Sequence, residues 1–388
     1  MTTLVASDLA IDRELASISE SFRFLVDVTP VNVAEARKQF LASPGAEPHF
    51  EYRDIEDFPE VIGARLEAVN IASVLDPMLV EIFTAKQREL VLQLAMLSAR
   101  GTDRFLDLSL ELYGPVLPEL ERQAEEILLE VAKKSGRRGK CLDADAIARM
   151  ASFEIDRYRM GYPEFSVPIE IRTDTSGVMV ANGALLIAET ASVSKSRVAG
   201  LLAHEVGTHI LTYVNGSLQD LKLLGSGLAG YEETQEGLAL LAEAAVGSLT
   251  AGRLRQIAAR VIAVRRRLQG LSFSQTHEEL TERYGYSKGG AFTIVMRVWR
   301  SGGLAKDAVY LRGLQNLVQY LAAGNVLEPL WQGKMGLADL PLILRLTQQD
   351  VLKPAAILPN FLTDPAARRR LERVAGNTGL QHLIGADT

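Results

Sequence analysis

The chain has 388 residues, 47% of them hydrophobic and 23% charged, the balance of a soluble globular protein with room for a large core. A net charge of −6 gives no general affinity for nucleic acid or anionic membrane, and the one cysteine, Cys141, excludes an intramolecular disulfide. No apolar run reaches membrane-spanning length and the first residues lack a signal peptide's basic segment and apolar core, so a cytoplasmic location is expected.

Residues 1–45 read as amphipathic helices broken at Thr29-Pro30. A loop follows at 43–48, then a short extended piece at 49–53, where His49 is structural. From 56 to 160 the apolar spacing is helical, with breaks at Asp76-Pro77, at Gly114-Pro115 and in the basic stretch 135–140, read as an exposed loop. Strand patterns gather at 167–173, 178–180 and 184–188, with a turn at 174–177 and a hairpin signal at Asn182-Gly183. The expected class is α+β and predominantly helical, with a helical region over 1–160 packed against a metallopeptidase-like region over 161–388. A small sheet feeding a metal-binding helix is the layout of a zincin-like core. Residues 184–189 are the candidate edge strand, to which an extended substrate could add by main-chain hydrogen bonds.

Residues 194–216 read as one helix that carries His204, Glu205 and His209. Ser194 is the expected N-cap and Asn215-Gly216 the expected stop. Val198, Leu201, Leu202, Val206 and Ile210 give it a buried face, which the three chemically active residues interrupt. In the familiar zinc-protease helix the two histidines stand four residues apart. Here they are five apart, and on an ideal helix such residues diverge by about 140°, too far to share an ion. One wide turn with i→i+5 bonding would bring them together, and Gly207 inside the insertion lowers its steric cost. The competing reading is a core helix with two satisfied histidines.

A second motif, Tyr231-Glu-Glu-Thr-Gln-Glu-Gly-Leu-Ala239, follows the Gly-rich loop 225–230 and opens another helix. A catalytic zinc takes three protein ligands and keeps one position open. Glu236 is the natural third ligand, because the helix after it is apolar. Glu232 and Glu233 suit a solvated first turn favoured by the helix dipole, although Glu233 stays open as a substitute or support for Glu236. Further on, Arg260 and Arg265 to Arg267 read as a solvated helix face, and His277 as a surface helix start without a ligand role. Arg297, Arg300, Lys306 and Tyr310 straddle the Gly302-Gly303 hinge as a cleft wall. The tail at 365–371 reads as a charged helix face.

The pair His204-Glu-Val-Gly-Thr-His209 and Gln235-Glu-Gly-Leu-Ala239 resembles the QEGLA-motif proteins, the flavohemoglobin expression-modulating family, which is related to the microtubule-associated tyrosine carboxypeptidases. Blocks at 98–105, 112–115, 306–314 and 333–341 are similar as well, so the resemblance runs from about residue 46 to the end. Family members often carry Thr where this chain has Ala305. The resemblance implies a zinc metallocarboxypeptidase acting on the C-terminus of a peptide or protein.

With Zn2+ as cofactor, the expected ligands are His204, His209 and Glu236. Glu205 is the expected general base and Tyr310 the expected oxyanion donor. Arg297 or Arg300, ahead of Lys306, would hold the substrate's terminal carboxylate, since guanidinium matches its two oxygens. A zinc amidase acting on a small metabolite and a non-catalytic metal-binding regulator remain as alternatives. No nucleic acid or membrane partner is expected, and oligomeric state is not legible.

Overall fold

The computed structural model describes residues 4–385 except 44, 56–57, 133–139, 174, 176 and 378. The basic loop at 135–140 therefore falls, apart from Lys140, outside the described residues, as do parts of the loop at 43–48 and of the turn at 174–177. The protein is predominantly helical with small sheets. Two of the expected breaks are real boundaries. Asp76 caps the helix Pro77–Ser98 by accepting from the Met78 amide, and Gly114, at φ 74°, ends the helix Arg104–Tyr113. One buried apolar core runs from Leu15 to Leu383. Among the described residues no helix is long and apolar enough to cross a membrane.

The three-stranded sheet has Ala184–Ala188 at its centre, parallel to Ile169–Arg172 on one side and antiparallel to Val178–Ala181 on the other. Asn182 (φ 47°) and Gly183 (φ 74°) form the hairpin turn between the last two strands in sequence. The expected edge at 184–189 is therefore incorrect. Leu185 and Ile187 are fully buried, and both main-chain sides of their strand are paired. The edge strand beside the site is Val178–Ala181, which the hairpin folds outward. A Cβ at Gly183 would meet the Tyr213 ring at 2.3 Å, so the hairpin tip rests directly on the helix that follows.

That helix runs without a break from Val198 to Ser217 as α-helix Val198–His204, π-helix Glu205–Ile210 and α-helix Leu211–Ser217. Its ends differ from expectation. Ser194 lies in the short strand Val193–Ser194, and its hydroxyl meets Ser196 Oγ instead of capping the helix. Asn215 is no stop signal but a buried clamp. Its Nδ2 donates to the carbonyls of Trp331 and Ile357, and its Oδ1 accepts from the Ile357 amide. Gly216 is needed for close approach, since a Cβ there would lie 2.0 Å from Leu224 O.

Helix Tyr231–Ala245 crosses Val309–Ala322 at a glycine pair. A Cβ at Gly237 would lie 2.3 Å from the Gly313 carbonyl carbon, and one at Gly313 would lie 1.9 Å from Glu233 O. The obstacle in both cases is backbone, which cannot swing aside. Gly313→Ala is therefore expected to destabilise by roughly 1–3 kcal/mol or more, as overpacked cores do; chemical denaturation showing no change would contradict this close crossing.

The arginines of helix Ala251–Leu268 do not form a solvated face. Arg260 and Arg266 are buried. Arg266 pairs with Glu279, Glu121 and Glu125, and Arg260 Nε lies 3.6 Å from Asp307 Oδ2. Polar residues at helical spacing read as solvated only while the neighbouring acids, here from three other segments, are out of view.

Candidate active site

The π-helix brings the two histidines together. His204 Nε2 lies 3.7 Å and His209 Nε2 3.8 Å from Glu236 Oε2, and the imidazole centroids are 5.0 Å apart. A tetrahedral ion with bonds of about 2.0–2.1 Å would hold its ligand atoms roughly 3.3 Å apart, and the three atoms here all lie within 4.8 Å of one another. The donor set, two imidazoles and one carboxylate, suits zinc. These three residues are the group among the described residues whose ligand atoms converge closely enough to hold a metal ion.

The wide turn is fastened from outside. Trp331, fully buried, donates through Nε1 to the Gly207 carbonyl at 2.8 Å, and Thr208 Oγ1 donates to Ala203 O. A Cβ at Gly207 would meet its neighbours at 3.7 Å or more, an ordinary contact. The turn therefore depends on Trp331 and the hydroxyl more than on the missing side chain at 207.

Each histidine is also held from behind. His204 Nδ1 lies 2.9 Å from Glu243 Oε1, and donation to that carboxylate would leave Nε2, which faces Glu236, to bind a metal. His209 Nδ1 meets Gln235 Oε1 at 3.3 Å with the same consequence. Burial alone would raise the Glu243 carboxyl, but Arg253, together with His204 and Arg197, holds it down at about 2. Burial likewise opposes ionisation of Glu236. Lys306, His209, His204 and Tyr310 outweigh it only together, and keep this carboxyl at about 2. Burial lowers His209 to about 4, so its imidazole is neutral, the form that binds metal.

Glu205 is buried beside this cluster without being one of its converging atoms. Burial, opposed by His204 and reinforced by Glu236, pushes its carboxyl up to about 7. A cavity of about 350 Å³ opens over the cluster, lined by His204, Glu205, His209 and Glu236 and by Tyr310, Arg297, Arg300 and Lys306. The expected ligands, base, oxyanion donor and three cations thus line one cavity. The three cations differ in what they already hold. Arg297 makes two 2.6 Å bonds to Asp307, and Lys306 sits between Glu232 and Glu236 at 3.3 and 3.4 Å. Arg300 is 6% exposed, and among the described residues no carboxylate lies within ion-pair distance of it. Among the described residues its one side-chain hydrogen bond goes to Thr29, and its Nε has no partner. Burial, with nearby Arg297, lowers it to about 10.

Glu232 and Glu233 are not a solvated turn. Glu232 faces Lys306 in the cavity, whereas Glu233 turns away to Arg312 (2.5 Å) and Asn316 (2.7 Å), so Glu233 takes no part in the ligand cluster. His277 is buried rather than superficial. Its Nε2 bonds to Lys288 O and its ring packs edge-on against Phe40.

Sequence reasoning missed Glu243, Gln235, Thr29 and Lys334. Glu243 did leave a signal, as the single charge in the apolar run 238–246 two turns beyond Glu236. Lys334 lay in the family-like block 333–341, whereas Thr29 left no signal, since it reaches the cavity from a segment about 175 residues before His204.

A solved chain from Colwellia psychrerythraea, described as a lipoprotein, aligns at 15% identity over 90% of this chain and 71% of that one, with a TM-score of 0.38, too low to establish a common fold. A comparison with curated proteins returns no match. The family model described as microtubule-associated tyrosine carboxypeptidase matches residues 38–377, a span that includes both histidines, Glu236 and the later cavity cations. The chain belongs to the microtubule-associated tyrosine carboxypeptidase family.

Proposed function

We propose that the protein is a zinc-dependent carboxypeptidase that removes a C-terminal residue, preferably aromatic, from a peptide or protein. The observation that carries this reading is one cavity holding both the His204, His209 and Glu236 cluster and a buried arginine, Arg300, with no carboxylate partner. Burying an uncompensated charge is costly, and a substrate carboxylate would relieve that cost. Zinc in this cluster would make a water molecule more acidic and polarise the scissile carbonyl.

The protein's own groups supply the rest. Glu205 accepts the proton from the attacking water and passes it to the leaving amine, a task suited to a carboxyl near neutrality. Tyr310, which lines the cavity with Glu236, is the donor for the oxygen that gains charge. Arg300 holds the terminal carboxylate, while Arg297 holds Asp307 and Lys306 holds Glu236 in their ionised forms. The strand Val178–Ala181, antiparallel to its neighbour and lining the cavity, is the edge to which the substrate backbone adds, as in a zincin-like core.

The test is a pair of peptides that both end in Tyr, one with a free carboxylate and one amidated. The free peptide should lose its terminal Tyr, chelator should stop the reaction, and the amidated peptide should be spared. Equal cleavage of both would remove the carboxylate pocket from the mechanism and favour an endopeptidase.

A further inference from the structure

Part of the cavity wall comes from a segment ahead of the family-matched residues. Leu25, Val26 and Thr29 line the cavity, whereas the match begins at residue 38. Leu25 and Val26 lie in a short helical turn, Phe24–Asp27, which Arg100 fastens by donating to Asp27 O at 2.9 Å. They add apolar surface to a cavity whose other apolar side chains include Val178 and Met179 of the edge strand.

The same segment grips the turn that carries Arg300. Arg300 Nη1 donates to Thr29 Oγ1 at 2.7 Å, and the Thr29 hydroxyl donates in turn to Leu25 O at 2.6 Å. Next to it, Ser301 is fully buried in the left-handed region (φ 58°), a strained conformation for a residue with a side chain. Its Oγ donates to Val28 O at 3.0 Å and its amide to the Tyr52 hydroxyl at 2.6 Å. The strained turn is thus held from the N-terminal side, and the direction of the Arg300 fork depends on one hydroxyl.

We propose that residues 24–29 form the wall of the pocket for the substrate's terminal residue, with Thr29 as the positioning residue for Arg300 and Leu25 and Val26 as determinants of which side chain fits. This rests on the carboxypeptidase reading. Thr29 does not touch the reacting atoms. It fixes a guanidinium that lines the cavity and whose Nε is buried without a partner, so the charge is left for the carboxylate to compensate. A neutral hydroxyl suits this role, because a carboxylate at position 29 would neutralise the arginine in place of the substrate.

The experiment compares wild type, Thr29→Val, Thr29→Ser and Val26→Trp, all zinc-loaded. Each is measured for KM and kcat on a Tyr-terminated peptide and for equilibrium binding of that peptide by the Glu205→Gln background. Thr29→Val should raise KM and the dissociation constant roughly tenfold, as expected for losing a hydrogen bond to a charged group. Its kcat, zinc content and melting temperature should stay near wild type, and Thr29→Ser should restore binding. Val26→Trp, which does not disturb the hydroxyl, should slow a Tyr-terminated peptide relative to an Ala-terminated one. Wild-type KM in Thr29→Val, or an unchanged Tyr-to-Ala ratio in Val26→Trp, would overturn the assignment while leaving the carboxypeptidase reading intact. A wild type that neither binds nor cleaves either peptide would overturn both.

Discussion

Glu205→Gln is expected to lower turnover of a Tyr-terminated peptide by about 10²–10⁴-fold, the range that positioned proton transfer contributes, while zinc content stays at wild type. The substitution keeps the size and the buried contacts of the side chain but removes its capacity to take a proton. Metal should be retained because the converging ligand atoms belong to His204, His209 and Glu236. Equilibrium binding of the peptide should also survive, which separates loss of chemistry from loss of the pocket. Rates on the free peptide and zinc analysis of the same sample check both halves. A variant that keeps most of its activity would remove Glu205 as the base and leave the cavity without a group of suitable pKa next to His204.

The parts of this site legible in the sequence are those governed by local periodicity. Two histidines five apart in an apolar helix require a wide turn if both are to serve one ion, and a π-helix spans Glu205–Ile210. The apolar continuation after Glu236 marked its helix as buried, with the carboxylate itself half-buried, and the hairpin at Asn182-Gly183 follows from backbone preference alone. What could not be read is set by contacts across long stretches of chain. Strand order is one case. The segment 184–188 follows its hairpin partner, yet it pairs on its other side with 169–172, and nothing in its pattern distinguishes a central strand from an edge. The arginines of helix Ala251–Leu268 are another, because their acidic partners lie on separate helices. Asn215-Gly216 misled for a related reason. Both residues tolerate left-handed backbone, but here they are kept for a buried amide clamp and a close crossing.

Glu236→Ala and Glu243→Ala should separate the ligand from the group that orients a ligand. Removing Glu236 deletes one of three converging donors and leaves Lys306 buried with less compensation, so the purified variant should contain little zinc and turn over no peptide. Glu243 touches the opposite edge of the His204 ring, 2.9 Å from Nδ1, and is itself held by Arg253 and Arg197 at 3.5 and 3.7 Å. Without it the imidazole loses the acceptor that fixes its tautomer, and zinc affinity should fall about 10–100-fold, the usual effect of deleting such a partner. The ions bound at high zinc should still support catalysis, because every group facing the substrate remains. Glu243→Gln offers a neutral acceptor at the same place and should recover a good part of the affinity. Titration of each apo-protein against a competing chelator, followed by rates at saturating zinc, gives the comparison. Equal zinc affinity in wild type and Glu243→Ala would mean that packing alone orients His204, and full zinc occupancy in Glu236→Ala would move the third ligand elsewhere. Glu233 is a poor substitute for it, being tied to Arg312 and Asn316.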